Sequence, residues 1–184
     1  RETLRTIRMV FVECNREQLT HTSDRLSLGE DITIMPVLLS EIRDGRRDAL
    51  ARLKSADLVA TSFYHMEELE TRLTGTGQRL IGMGLRPEIP TVVGIARFEG
   101  GARIGVVADS REFLAEVCAT LSAMDIPSSR VRKTIETDEK ALQKFVQSVD
   151  GIIVSPSRTE ALEHFAGDKP VVEFQLAPDE ASIN

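Results

Sequence analysis

The stretch Ile7-Arg8-Met9-Val10-Phe11-Val12, followed at once by Glu13-Cys14-Asn15-Arg16-Glu17-Gln18-Leu19, decides the fold. Its first part is a short apolar run of strand length and reads as a buried strand. Asn15 then opens a helix: it is a good N-cap, and Gln18 stands three residues on as a capping-box partner. A buried strand running straight into a helix is the first half of a βαβ unit.

The same alternation continues outward from this stretch. Strands are expected at Ile32-Thr33-Ile34-Met35-Pro36-Val37-Leu38, at Asp57-Leu58-Val59-Ala60-Thr61-Ser62 and at Arg79-Leu80-Ile81-Gly82-Met83. Between the second and third, Ile42, Ala49, Leu50 and Leu53 have helical spacing. The programme then runs again. Ala102-Arg103-Ile104-Gly105-Val106-Val107 is a strand, and Phe113, Leu114, Val117, Leu121 and Met124 form a helix face. Residues 130–135 form a strand, and Leu142, Phe145, Val146 and Val149 a second helix face. Gly151-Ile152-Ile153-Val154-Ser155 and Pro170-Val171-Val172-Glu173-Phe174 complete the set. Strand–helix–strand alternation implies parallel sheets with right-handed crossovers.

The two halves lie over each other residue by residue. Glu13-Cys14-Asn15 matches Ala108-Asp109-Ser110 at an offset of 95; Ser55-Ala56-Asp57-Leu58-Val59 matches Ser148-Val149-Asp150-Gly151-Ile152 at 93; Glu67-Glu68-Leu69-Glu70 matches Glu160-Ala161-Leu162-Glu163. The expected fold is therefore α/β, two Rossmann-like lobes with mainly parallel sheets made by internal duplication. The lobes are placed at 5–88 and 101–177, with a helical crossover and hinge at 89–100 and a tail at 178–184 that returns across their junction. Residues 86–90 and 99–101 are the expected hinge points, Gly100-Gly101 among them, since glycine absorbs backbone changes cheaply.

Composition narrows the function. The 184 residues are 41% hydrophobic and 28% charged, which is globular. Aromatics are 4%, too few for a stacking platform for single-stranded nucleic acid. A net charge of −6 argues against direct binding to duplex DNA by this chain, because that affinity comes from Lys and Arg. Two distant cysteines, Cys14 and Cys118, give neither a disulfide framework nor metal-ligand spacing and suit reduced, cytoplasmic thiols. No stretch has the length of a membrane span, so no membrane partner is expected.

In open parallel sheets ligands sit outside the carboxyl ends of strands, near helix N-termini. That rule selects Asn15 after the first strand and Ser110 at the matching position. It selects Ser62 and Tyr64 after the third strand, matched by Ser155, Ser157 and Arg158, with Ser157 and Glu160 spaced as a capping box. Arg86 and Arg158 are the candidate clamps for an anionic ligand. Glu173 is expected at a strand end. Together these residues would bind a small polar or anionic metabolite in a cleft between the lobes; helix capping alone is the plain alternative for Asn15, Ser110 and Ser157. No cofactor and no metal site is expected. Gly-x-Gly-x-x-Gly and P-loop patterns are missing. His21, His65 and His164 are scattered, and no catalytic triad is marked. A two-thiol racemase would need a cysteine at the position of Asp109; Cys118 falls mid-helix instead.

Val10-Phe11-Val12-Glu13-Cys14-Asn15, Ala56-Asp57-Leu58-Val59-Ala60-Thr61-Ser62-Phe63-Tyr64-His65, Val154-Ser155-Pro156-Ser157, Val172-Glu173-Phe174-Gln175-Leu176 and Asp179-Glu180-Ala181-Ser182 resemble the C-terminal effector-sensing region of GntR-type bacterial transcription regulators. The resemblance implies a periplasmic-binding-protein-like sensor that is not an enzyme. It also implies a homodimer in the full-length protein, and DNA contact only through an N-terminal helix-turn-helix domain that this chain, starting at Arg1, lacks. A solute-binding protein of a transport system and a small racemase or isomerase are the alternatives.

Overall fold

A computed structural model describes residues 6–26, 31–162 and 164–179. The chain forms two compact units: Arg1–Arg86 together with Leu176–Asn184, and Pro87–Gln175. Residues 180–184 of the expected tail, and Glu163 of the repeat, lie outside the described residues.

The first unit runs β1 (Ile7–Glu13), α1 (Arg16–Arg25), β2 (Ile32–Leu38), α2 (Leu39–Arg43), α3 (Arg47–Ser55), β3 (Leu58–Ser62), α4 (Met66–Leu73), β4 (Arg79–Met83) and β5 (Leu85–Pro87). Its four-stranded sheet is parallel, ordered β2-β1-β3-β4. Alternate side chains of β1 enter opposite layers, as strand geometry requires. Val10 and Val12 join Val37, Leu53, Val59 and Leu69. Met9 and Phe11 join Leu19, Leu26, Leu38 and Met83. Both faces of the sheet are covered, which is why the strand reads as a continuous apolar run.

The second unit repeats the plan: α5 (Ile89–Ala96), β6 (Ile104–Val107), α6 (Arg111–Ala123), β7 (Val131–Thr134), α7 (Glu139–Gln147), β8 (Gly151–Val154), α8 (Thr159–Leu162) and β9 (Val171–Glu173). Its sheet is also parallel, ordered β7-β6-β8-β9, the same order as the first. One core layer holds Val107, Leu142, Val146, Ile152, Val154 and Leu162. Elsewhere in this unit Phe113 meets Phe174 edge to face at 5.7 Å. The expected fold class holds: α/β, two Rossmann-like units, two separate parallel sheets.

The duplication extends to an ion pair. Arg8 Nε lies 3.4 Å from Asp57 Oδ2, and the Arg8 backbone N–H donates to the same oxygen at 3.0 Å. At the equivalent positions Arg103 donates to Asp150 through its backbone N–H at 2.8 Å, through Nε at 3.1 Å and through Nη2 at 2.8 Å. Each pair ties the beginnings of two neighbouring strands, away from the ligand end of the sheet.

Three local features differ from expectation. The apolar positions from Ile42 to Leu53 sit on two helices, because Gly45 takes a left-handed φ of 67° and ends α2. Ile42, Ala49 and Leu53 still share one core, so their spacing records a common face and not one helix. The crossover helix belongs to the second unit: the Thr91 hydroxyl accepts from Gln175 N–H at 3.1 Å and donates to the Glu173 carbonyl at 3.2 Å, and Gly94 packs on Val172. The chain passes between units at 86–87 and 175–176. Gly100 and Gly101, expected as a hinge, lie inside the second unit in a turn whose Glu99 carbonyl also accepts from Arg130. Lastly, β10 (Leu176–Pro178) pairs with β5 and belongs to the first unit, where Gln18 Nε2 donates to the Leu176 carbonyl at 3.0 Å. Among the described residues no helix is long and apolar enough to cross a membrane.

Two carboxylates give the fold a measurable acid dependence. Hydrogen bonds from Arg43 first, and also from Arg72, hold Glu68 down to about 2, against burial that pushes the other way. Bonds from the Arg103 side chain and backbone hold Asp150 down to about 2. Both pKa values are depressed on folding, so the stability they contribute is complete above the ordinary values of 4.5 and 3.8 and is lost as pH falls through about 2. Glu68→Gln should cost about 0.5–1 kcal/mol at neutral pH, discounted for solvent exposure. It should also flatten the decline in urea midpoint below pH 5 relative to the parent. An identical decline in both proteins would show that this cluster carries none of it.

Candidate functional site

An order of 2-1-3-4 sends the connections from the first strand to opposite sides, and the crevice beside that switch point is where such sheets take ligands. In the first unit the switch point lies at the carboxyl ends of β1 and β3; in the second it lies at those of β6 and β8.

In the first unit β1 ends on Glu13, and the 3₁₀ turn Phe63–His65 follows β3. Parallel pairing sets Val12 opposite Thr61 and so brings the next residues of both strands side by side. Glu13 and His65 are each 2% exposed, with Glu13 Oε2 3.2 Å from His65 Nε2. The separation is that of an ion pair, but the ring nitrogen has no hydrogen-bond acceptor in line with it among the described residues. The other carboxylate oxygen accepts the Ser62 N–H at 3.1 Å. Cys14, half-buried, is the third member of this cluster. The Ser62 hydroxyl is buried and has no partner among the described residues. Phe63 lies over Gly82, where a Cβ would come within 2.6 Å of its ring, and this contact sets the turn. Tyr64 is exposed on the same turn.

In the second unit Ser155 is fully buried and its hydroxyl lies 3.3 Å from that of Ser157, which donates to Asp109 at 2.8 Å. Arg158 is partly buried and donates to the Glu136 carbonyl. It has no carboxylate partner among the described residues and lines a cavity of about 440 Å³ with Thr137, Glu139, Leu142, Ala161, His164 and Phe165.

The structure therefore gathers Ser62 and Tyr64 at one strand end, and Ser155, Ser157 and Arg158 at the other. Asn15 and Ser110 stand beside them as helix caps: Asn15 Oδ1 accepts from the N–H groups of Glu17 and Gln18, and Ser110 Oγ from that of Phe113. Gln18 gives its backbone N–H to Asn15 and its Nε2 to the Thr22 hydroxyl one turn on and to the Leu176 carbonyl across the fold, while the Ser157 hydroxyl donates to Asp109. Arg86 is exposed on β5, three residues after Met83, the end of β4 that pairs with Ser62. Glu173 ends β9 and accepts from Thr159 at 2.9 Å. Cys118 lies on α6 and lines a different cavity of about 310 Å³, with Leu121, Pro127 and Val131. That cavity is at the end of α6 and the beginning of β7, away from the ligand end of the sheet. Glu13 and His65 are the residues the sequence reading passed over. The available signal was the adjacency of two parallel strands, which places the residues just after each strand together whatever their separation along the chain.

A family model described as the YmtS Rossmann-like domain matches residues 105–184, most of the second unit. No curated protein matches the chain. Among solved structures the chain is similar to ligand-free aspartate transcarbamoylase from Trypanosoma cruzi, with 14% identity and a TM-score of 0.36, covering 91% of this chain and 69% of that one.

Proposed function

We propose that this chain is the effector-binding part of a GntR-type bacterial transcription regulator, and that it takes a small anionic metabolite at its strand ends. The observation that supports this most is Arg158. A guanidinium has five N–H donors in a planar fork suited to a carboxylate or phosphate. Here one donor is held by a backbone carbonyl, no carboxylate pairs with the guanidinium among the described residues, and the side chain borders a cavity, lined also by Glu139, large enough for a small metabolite. Leu142, Ala161 and Phe165 would take the apolar part of such a ligand, and the hydroxyls of Ser155 and Ser157 lie at the same strand end. In this reading DNA contact belongs to a segment outside this chain, in keeping with its charge of −6.

A thermal-shift screen of mono- and dicarboxylates and sugar phosphates tests the reading. A true effector at 100 times its dissociation constant should stabilise the fold by about 2.7 kcal/mol. Arg158→Ala should weaken that ligand by about 1.5–3 kcal/mol, the value of a hydrogen bond to a charged group. Ser155→Ala should weaken it by about 0.5–1.5 kcal/mol. A ligand that binds Arg158→Ala as tightly as the parent would sink the assignment.

A further inference from the structure

We propose that Glu13, Cys14 and His65 form a binding site for a divalent late transition metal, zinc by preference, at the carboxyl end of β1. One donor atom from each residue lies within 4.8 Å of the other two. The donors are a carboxylate oxygen, a thiol sulfur and an imidazole nitrogen, the mixture that selects zinc and its neighbours over calcium or magnesium, which take oxygen ligands. The 3.2 Å between His65 Nε2 and Glu13 Oε2 matches the edge of a tetrahedron around an ion whose bonds are about 2.0–2.2 Å long.

Two further observations separate this cluster from an ordinary buried ion pair. His65 Nε2 is buried and has no hydrogen-bond acceptor in line among the described residues, which leaves the nitrogen available to a ligand. Glu13 is already oriented, because the Ser62 N–H holds Oε1 and leaves Oε2 toward the histidine. That is the outer-sphere support that ligating carboxylates need. The Ser62 hydroxyl, buried at the same strand end without a partner among the described residues, suits a water on the metal. Half-buried Cys14 gives the ion its way in. On binding, the Cys14 thiol releases its proton to solvent and the sulfur ligates as thiolate. Three protein ligands leave a fourth position open, the pattern of zinc sites that act on a bound molecule.

The duplication sharpens the argument. The positions of Glu13, Cys14 and His65 in the second unit are held by Ala108, Asp109 and Arg158. A guanidinium replaces the imidazole and would repel a cation. The two copies of one strand end have thus diverged, one toward a cation and the other toward an anion. The metal site does not rest on the effector reading, and Arg158→Ala should leave it intact.

The test uses the purified, chelator-stripped chain titrated with Co²⁺ and then Zn²⁺. One equivalent of cobalt should bind with the intense visible absorption of a tetrahedral ion and a near-ultraviolet thiolate-to-cobalt band, and zinc should displace it. Cys14→Ser should abolish the thiolate band and weaken zinc by at least roughly 10–100-fold. His65→Asn should weaken it likewise, and Cys118→Ser should change neither. If His65→Asn does not fold, Cys14→Ser at its half-buried position decides the matter. Absence of stoichiometric binding, a cobalt spectrum without the thiolate band, or equal zinc affinity in Cys14→Ser and the parent would each overturn the proposal.

Discussion

Phe11→Ala is expected to destabilise the first unit by about 3–5 kcal/mol, the range for removing a large aromatic side chain from a closed core. Phe11 sits at the middle of β1, between β2 and β3, and is fully buried. Its layer is built from Met9, Leu19, Leu26, Leu38 and Met83. The strand beneath is hydrogen-bonded on both sides, so the backbone cannot move to close the void, and the cost falls toward the upper end. Total stabilities of domains are about 5–15 kcal/mol, so the variant should be close to unfolding at 37 °C. Urea denaturation followed by circular dichroism measures this, with Ile7→Ala as a comparison on the same strand. Ile7 is 45% exposed, and its loss should cost much less. Equal losses from the two variants would contradict the two-layer packing.

Glu13→Ala in the metal-free protein is expected to cost about 1–3 kcal/mol, the value for leaving a buried N–H, here that of Ser62, without its acceptor. Glu13→Gln keeps an amide oxygen that can accept from Ser62, so it should fall between parent and Ala. A cost of less than about 1 kcal/mol for Glu13→Ala would show that the Ser62 N–H is not left unsatisfied. Urea midpoints of the three proteins at neutral pH distinguish these outcomes.

The strand ends show how far each level of description reaches. Local rules found the central strands of both sheets, because a strand covered on both faces is mostly apolar, and that leaves a run visible in one dimension; the edge strand β7, Val131-Arg132-Lys133-Thr134, carries no such run. They also found the caps at Asn15 and Ser110, whose hydrogen bonds close within three residues. Where a side chain has two possible partners, local rules failed. Ser157 suits a capping box by spacing, yet it bonds to Asp109, 48 residues away, and Gln18 adds to its local bonds one to the Leu176 carbonyl, 158 residues away.

The sequence by itself determined the fold class, the internal repeat and the end of each sheet at which chemistry could gather. Periodicity, capping residues and the offset between the halves are properties of neighbours along the chain, and they survive without any knowledge of packing. Only the tertiary structure decided which units the connecting segments join. The three-residue strands β5 and β10 are too short to carry a period, and α5 is held by Thr91 and Gly94 against β9. Only the tertiary structure, too, brought Glu13 and Cys14 to His65. The physical reason is parallel pairing: β1 and β3 are separated along the chain by α1, β2, α2 and α3, and their register alone sets the residues after one strand beside those after the other.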